Sequence, residues 1–233
     1  MKFRPWKRLR EWNQTRRFQR CVRRTGFWYV DIPRTGSSWL RDLLFHSYGW
    51  PHGKASFLNP GLTKKSAMFL PAHTSAATVC QAAGQDLWKS LFTFSVVRNP
   101  FDRIASLYLY YKNTEKIFMG DFPQFCAAIE TSCCWVSEHR FRPPLWTSQK
   151  KYLADNQGKF LVRHIGRYEK YDDFIMTLRR QLDLGEASAA IINPSLGKPE
   201  TGLSGLHSKK TAEFIAEFFV EDFEAFDYPK RLP

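Results

Sequence analysis

The residues best suited to chemistry lie in a short basic turn, Pro33-Arg34-Thr35-Gly36-Ser37-Ser38-Trp39. Arg34 carries a permanent positive charge and a two-pronged set of hydrogen-bond donors. Gly36 lets the backbone come close to a ligand, and Ser37 or Ser38 can cap a helix that follows. Because the N–H groups at the start of a helix attract anions, the turn predicts a binding site for phosphate or sulfate.

A second set of polar residues begins at Arg98, directly after the apolar run 91–97. In open α/β sheets, ligands bind beyond the carboxyl ends of the strands, which is where Arg98 falls. Pro100 suits the first turn of a helix, and Ser106 lies two turns along, on the face that looks back at Arg98. The alternative interpretation is a structural ion pair between Arg98 and Asp102.

Alternating strands and helices are predicted to position both sets. Apolar runs and helical periodicity indicate three strand–helix units, at 27–48, 66–84 and 91–112. They also indicate a further strand at 159–165 and two further helices at 172–182 and 208–220. The first helix is expected to begin at Trp39. Residues 113–148 and 185–206 are predicted to be irregular. This order predicts an α/β protein with a parallel sheet and helices on both faces.

Together and in this order, the two motifs resemble those of the sulfotransferases that use 3′-phosphoadenosine 5′-phosphosulfate. The basic turn is similar to the family's 5′-phosphosulfate loop, Pro-Lys-[Ser/Thr]-Gly-[Ser/Thr]-[Ser/Thr]-Trp. The second set is similar to its 3′-phosphate motif, Arg-Asn-Pro-x-x-Arg-x-x-Ser. Residues 158–169 and 219–229 are similar to segments of the carbohydrate-type branch. The resemblance covers about residues 27–229 and implies a P-loop-like three-layer fold.

The resemblance also implies a role for each matching residue. Arg34, which stands where the family has a lysine, would contact the phosphosulfate and the leaving oxygen. The remaining residues would bind the donor nucleotide: the 5′-phosphosulfate by Thr35, Gly36, Ser37 and Ser38, the 3′-phosphate by Arg98 and Ser106, and the adenine by Trp39 and Tyr168. The acceptor would be a hydroxyl group, with a carbohydrate as the expected class.

A general base is needed because the acceptor hydroxyl must lose its proton during attack on sulfur. Histidine suits this task near neutral pH, and the chain has six. His73 follows a short predicted strand ending at Pro71 and precedes a predicted helix. The family places a histidine before a helix that leads into its Arg-Asn-Pro strand. We therefore predict His73 as the base; a structural or capping histidine is the alternative. Arg34 is the second predicted catalytic residue, which would stabilise the negative charge that grows on the bridging and sulfuryl oxygens.

The sequence departs from the family pattern at several positions. Arg34 keeps the charge of the usual lysine but cannot donate its proton. Pro71 stands where the cytosolic branch has a lysine, and that branch's late Arg-Lys-Gly segment is absent. The run from His207 through Lys209 and Lys210 lies near the corresponding place. It predicts either cations for the 3′-phosphate or solvated charges at a helix start.

The chain has 233 residues, which suits a single domain. Residues 1–24 form a basic leader with ten Lys or Arg against one acid, a net charge of +9, and 25–233 form the predicted domain. Aromatic residues interleave the leader's basic ones. This pattern is typical of a helix that lies on an anionic membrane, or of an arm that binds nucleic acid or an acidic glycan. It is also typical of a basic helix that packs its aromatics on the domain.

Cysteine usage and hydropathy predict the cellular setting. The five cysteines are odd in number and include no Cys-x-x-Cys pair, which favours reduced thiols and a cytoplasmic location, with peripheral membrane contact as an option. No run of 18 apolar residues predicts a membrane span. No cluster has metal-ligand spacing, so no metal is expected. A nucleotide kinase and a nucleic-acid-binding module are the rival classes.

Overall fold

Three short strands form a parallel sheet in the order β1-β2-β3. The computed structural model describes residues 15–16, 18–20, 22–48, 73–131, 145–184 and 202–232. The strands are Phe27–Val30 (β1), Phe92–Val97 (β2) and His164–Arg167 (β3). Phe27 pairs with Phe92, and Phe94 pairs with His164. β1 and nearly all of β2 are buried, which explains their continuous apolar runs.

Helices flank this small sheet. Their bounds are Ser37–Tyr48 (α1), Ala76–Ala83 (α2), Gln85–Ser90 (α3), Pro100–Leu109 (α4), Phe122–Glu130 (α5), Gln149–Leu153 (α6), Tyr171–Leu182 (α7), Lys209–Phe218 (α8) and Val220–Ala225 (α9). A π-helical turn, Tyr110–Thr114, extends α4, and the 3₁₀ turn Tyr168–Lys170 joins β3 to α7. The α/β class is confirmed. No helix among the described residues is both long enough and apolar enough to cross a bilayer.

The third strand begins later than its apolar run predicts. The prediction of a strand over 159–165 is wrong in its first half, because Phe160 forms an isolated antiparallel bridge with Ala154 instead. The N–H of Leu161 donates to the carbonyl of Leu153 at 2.8 Å, so the chain folds back on α6. Val162 is buried there, outside the sheet. Tertiary packing therefore buries Val162 without a strand, while Phe160 stays exposed.

Two helix predictions also change. α1 begins at Ser37 instead of Trp39, so Ser37 and Ser38 lie in its first turn and the cap prediction for them is wrong. α5 occupies part of the segment predicted to be irregular. Its start carries a capping box, in which Asp121 accepts from the Gln124 N–H and the Gln124 side chain accepts from the Asp121 N–H. Predicted strand 66–71, with Pro71, lies outside the described residues.

The described part of the basic leader is helical over 15–16, 18–20 and 22–25. Phe18 and Val22 are buried, and the Phe18 ring meets Trp28 edge-on at 5.5 Å between centroids. Three basic residues, Arg20, Arg23 and Arg24, are exposed. This stretch therefore packs its apolar face on the domain and presents a basic face outward. The division into 1–24 and 25–233 stays a prediction.

Replacing Phe18 with Ala tests whether the leader belongs to the folded core. We expect Phe18→Ala to lower the free energy of unfolding by about 3–5 kcal/mol, because a buried aromatic ring leaves a cavity. Arg20→Ala, on the exposed side of the same helix, should change it by no more than about 0.5 kcal/mol. Urea denaturation followed by circular dichroism measures both. Equal effects of the two variants would show that the leader does not contribute to the core.

Candidate active site

The two predicted motifs meet beyond the carboxyl ends of β1 and β2. β1 and β2 are neighbours in the sheet, so the turn at Arg34 and the residue Arg98 emerge side by side. The Arg98 Nη1 donates to the backbone carbonyl of Arg34 at 3.3 Å. The structure thus brings the two arginines together, as their places after neighbouring strands predict.

The basic turn has a tightly fixed shape. Arg34 and Gly36 both have left-handed backbones, with φ of 68° and 84°. A Cβ on Gly36 would lie 3.0 Å from the Tyr171 ring and 3.1 Å from the Tyr168 ring, so glycine satisfies both the conformation and the space. The buried Thr35 hydroxyl donates to the Ile32 carbonyl at 2.9 Å. The Tyr171 hydroxyl donates to the Gly36 carbonyl at 2.9 Å.

Arg34 reaches across the site to α4. Its Nε and Nη2 donate to the Ser106 Oγ at 3.2 and 3.1 Å, and its guanidinium lies 4.8 Å from the centre of the Tyr110 ring. Burial lowers the pKa of Arg34, and the positive charge of Arg98 lowers it further. Both effects disfavour the cation, and a bound anion would relieve them.

Arg98 is buried and positively charged. Its guanidinium lies 4.2 Å from the centre of the Tyr168 ring, and its Nε is buried without a hydrogen-bond partner among the described residues. Within those residues, no carboxylate comes within 4.0 Å of either Arg98 or Arg34. Buried charges are normally paired, so two adjacent unpaired guanidinium groups favour an anionic ligand.

The side chain of Gln149 fixes the backbone of Arg98 on both sides. Its Oε1 accepts from the Arg98 N–H at 2.9 Å, and its Nε2 donates to the Arg98 carbonyl at 2.8 Å. Gln149 is held in turn by the buried carboxylate of Asp222, which accepts from its backbone N–H at 2.9 Å. Asp222 also accepts from Ser148 and Lys150 and so caps the start of α6.

Glu169 fixes the residue after Arg98. Its Oε1 accepts from the Asn99 N–H at 2.7 Å, and its Oε2 accepts from the Tyr228 hydroxyl at 2.8 Å. Residues near the end of the chain therefore hold the end of β2 through Glu169 as well as through Asp222.

Arg103 connects the basic turn to a distant segment. It is fully buried; its Nε donates to the Pro33 carbonyl at 3.1 Å, and its Nη2 donates to the carbonyls of Leu145 and Thr147 at 2.8 and 3.0 Å. Burial lowers its pKa. This arginine is the second one of the Arg-Asn-Pro-x-x-Arg motif, and its contacts hold the first residue of the basic turn to the segment that contains Leu145 and Thr147.

His73 lies beside the end of β1, against Asp31. Its Nδ1 is 3.2 Å from the Asp31 Oδ2 and 3.2 Å from the Asp31 backbone carbonyl. The same carboxylate accepts from Arg41 Nη1 at 3.1 Å. Burial by itself raises the pKa of Asp31, but His73 and Arg41 together hold it below its usual value. Sequence reasoning missed Asp31; the signal was an acid within the apolar run 27–32.

The predicted adenine residues lie close together. Trp39 meets Tyr171 edge-on at 5.6 Å between ring centres, and Tyr171 is 5.7 Å from Tyr168. Trp39 and Tyr168 therefore flank one aromatic group next to Gly36. Of the two serines in the turn, Ser37 is buried and Ser38 is exposed.

The late basic run divides into two parts. His207 packs edge-on against Phe101 and Phe122, and burial lowers its pKa to about 4. Its imidazole is therefore neutral near pH 7, so the positive charges of this run lie on the two lysines. Lys209 and Lys210 are exposed in the first turn of α8. Whether they contact the 3′-phosphate stays a prediction.

Comparisons with known proteins identify the family of the chain. The sequence pattern of the sulfotransferase family matches residues 20–229. An uncharacterized protein of Archaeoglobus fulgidus is 27% identical over 110 residues, which cover 47% of this chain and 82% of that protein. No solved structure matches the chain. Since the family pattern spans nearly the whole sequence, the chain belongs to the sulfotransferase family.

Changing Gln149 to Glu tests the support of Arg98. The carboxylate cannot donate to the buried Arg98 carbonyl, so we expect Gln149→Glu to lower the free energy of unfolding by about 1–3 kcal/mol. Gln85→Glu makes the same chemical change on the exposed face of α3 and should stay within about 0.5 kcal/mol of the parent. Urea denaturation at pH 7 compares them. A Gln149 variant as stable as the Gln85 variant would contradict the assigned contact.

Proposed function

We propose that this sulfotransferase moves a sulfuryl group from 3′-phosphoadenosine 5′-phosphosulfate to an acceptor hydroxyl, with carbohydrate as the favoured acceptor class. The observation that carries the proposal is the pair Arg34 and Arg98. They are adjacent, largely buried, and without a carboxylate partner in the described ranges. A donor with phosphate groups at both ends of its ribose suits two such cations.

The residues around the arginines fit this donor. Gly36 lies directly against the rings of Tyr168 and Tyr171, so the basic turn adjoins the aromatic surface that we assign to the adenine. The buried Nε of Arg98 has an unused donor among the described groups. We assign the 3′-phosphate to Arg98 and Ser106, and the adenine to Trp39 and Tyr168. A P-loop-like three-layer arrangement is part of the same proposal.

The basic turn would hold the 5′-phosphosulfate. The Thr35 hydroxyl already donates to the Ile32 carbonyl, so we assign its contact with the sulfate to the backbone N–H. Gly36, Ser37 and Ser38 continue the turn into the positive end of α1, which favours an anion. Arg34 would stabilise the negative charge that grows on the bridging and sulfuryl oxygens.

His73 would act as the general base. The donor supplies an activated sulfuryl group whose leaving group is a stabilised phosphate. The acceptor oxygen bonds to sulfur and gives its proton to His73; the bond from sulfur to the bridging oxygen breaks, and its electron pair stays on that oxygen. The protein's contribution is mostly positioning and fixed charge.

The basic leader offers a separate contact. Its exposed arginines precede β1, so they lie near the amino ends of the strands. Arg34 and Arg98 lie at the opposite, carboxyl ends. We propose that residues 1–24 make a weak contact with an anionic surface, outside the acceptor site. A cytoplasmic location with peripheral membrane contact belongs to the same proposal.

Calorimetric binding of 3′-phosphoadenosine 5′-phosphate tests the donor site. We expect tight binding that needs no metal and exceeds that of ATP. Arg98→Ala should weaken it by about a hundredfold or more, because a buried charge-assisted contact to phosphate is lost. Arg20→Ala removes one positive charge near the amino ends of the strands, far from the proposed site. It should change the affinity for 3′-phosphoadenosine 5′-phosphate by less than about threefold. Tighter binding of magnesium–ATP would overturn the proposal in favour of a kinase.

Changing His73 to Ala separates binding from turnover. We expect 3′-phosphoadenosine 5′-phosphate to bind with unchanged affinity, while transfer slows by about 10²–10⁴-fold because the base is lost. The assay follows radiolabelled sulfate from 3′-phosphoadenosine 5′-phosphosulfate to a panel of neutral oligosaccharides. His164→Ala, which changes an exposed histidine of β3, is the matched control. Retained turnover in the His73 variant would remove this residue from the role.

A further inference from the structure

Asp31 joins two functional parts of the molecule. It follows β1 directly and precedes the basic turn by two residues, yet its side chain points to His73, 42 residues later in the chain. Its side chain is 1% exposed, against 16% for that of His73. The histidine therefore has one ring edge against a buried carboxylate, and part of the ring is open to solvent.

The contacts at Nδ1 determine the proton's place on the imidazole. Both atoms near Nδ1, the Asp31 Oδ2 and the Asp31 backbone carbonyl, are hydrogen-bond acceptors, each 3.2 Å away. Neither oxygen can donate while the carboxyl group is ionised, and the neighbouring Arg41 favours that state. Nδ1 must then carry the hydrogen. In the neutral ring, the lone pair is left on Nε2, which is the arrangement of a general base.

The backbone at His73 is in an unusual conformation. Its φ is 63°, in the left-handed region that residues other than glycine seldom adopt. The contacts with Asp31 hold the ring although the backbone there is strained.

We propose that Asp31 is a positioning residue for His73. It holds the Nδ1–H tautomer, so that Nε2 accepts the proton of the acceptor hydroxyl, and its negative charge stabilises the imidazolium that forms. This role rests on the proposed function, since it assigns the proton transfer to His73. Asp31 itself stays ionised and touches neither donor nor acceptor.

Other charged and titratable groups surround the Asp31 carboxylate. Arg41 of α1 shares its carboxylate at 3.1 Å, and the hydroxyl groups of Tyr29 of β1, Tyr152 of α6 and Tyr171 of α7 interact with its charge. The pKa of each of these tyrosines is raised, chiefly by burial, so all three stay neutral near pH 7. Arg41 is thus the second charged partner, and it provides the matched control.

The first test needs no substrate. Long-range ¹H–¹⁵N correlation spectra of the histidine-labelled full chain, at a pH where His73 is neutral, distinguish its two tautomers. Assignment by His73→Gln identifies the signal. We expect the Nδ1–H form to predominate in the parent protein and in Arg41→Gln. A predominant Nε2–H form would overturn the proposal whether or not the chain transfers sulfate.

The second test separates kcat from donor binding. Asp31→Asn keeps the size of the side chain and the backbone carbonyl but removes the charge. We expect kcat to fall by about 10²–10⁴-fold, since amide replacement of an aspartate paired with a catalytic histidine has an effect of this order. The affinity for 3′-phosphoadenosine 5′-phosphate and the KM for the sulfate donor should stay within about twofold.

Two further variants separate positioning from folding. Arg41→Gln removes the other partner of the carboxylate and should keep kcat within about threefold of the parent. The double variant Asp31→Asn/Arg41→Gln restores the balance of charge, so it keeps the test available if Asp31→Asn is poorly folded, and its kcat should stay low. Equal losses in Asp31→Asn and Arg41→Gln, or full activity in the double variant, would overturn the role of Asp31. Failure of the parent protein to bind 3′-phosphoadenosine 5′-phosphate would instead count against the proposed function.

Discussion

The site depends on two like charges that the fold holds side by side. Arg34 and Arg98 follow neighbouring parallel strands, and a guanidinium of one donates to the backbone of the other. Mutual repulsion and burial both disfavour this arrangement, as the lowered pKa of Arg34 reflects. Such a pair persists because the surrounding structure determines it, and its electrostatic cost falls when an anion binds. Under the proposed function, this pair is preorganised for the polyanionic donor.

Three polar side chains provide that constraint, and two of them, Gln149 and Arg103, are buried. Gln149 and Glu169 fix the backbone at the end of β2, and Arg103 fixes the turn that follows β1. Asp222 and Tyr228 support the first two from the end of the chain. Each is satisfied mainly by backbone groups, so a change at any of them would move the backbone that carries an arginine. Sequence-distant helices thus determine the spacing of the two cations.

Asp31 is a third charged residue near the site, and it connects the basic turn to His73. Asp31 links the strand that carries the basic turn to the histidine before α2, so the proposed base and the anion loop share one rigid support. Arg41 of α1 also contacts this carboxylate. The Asp31 carboxylate and the proposed base therefore form one connected pair, which a displacement of β1 would alter as a whole.

The sequence alone determined the local features: the buried runs of β1 and β2, Pro100 at the start of α4, and the glycine in the basic turn. These features follow from interactions between residues close in the chain. The capping box at Asp121 is equally local, so the sequence also contained the signal for α5, although the segment was predicted to be irregular. Only the tertiary structure decided the late start of β3, the neutral state of His207 and the partner of His73. Each depends on groups from other parts of the fold that pack on the residue, desolvate it or pair with it, and no local pattern encodes the outcome of that competition.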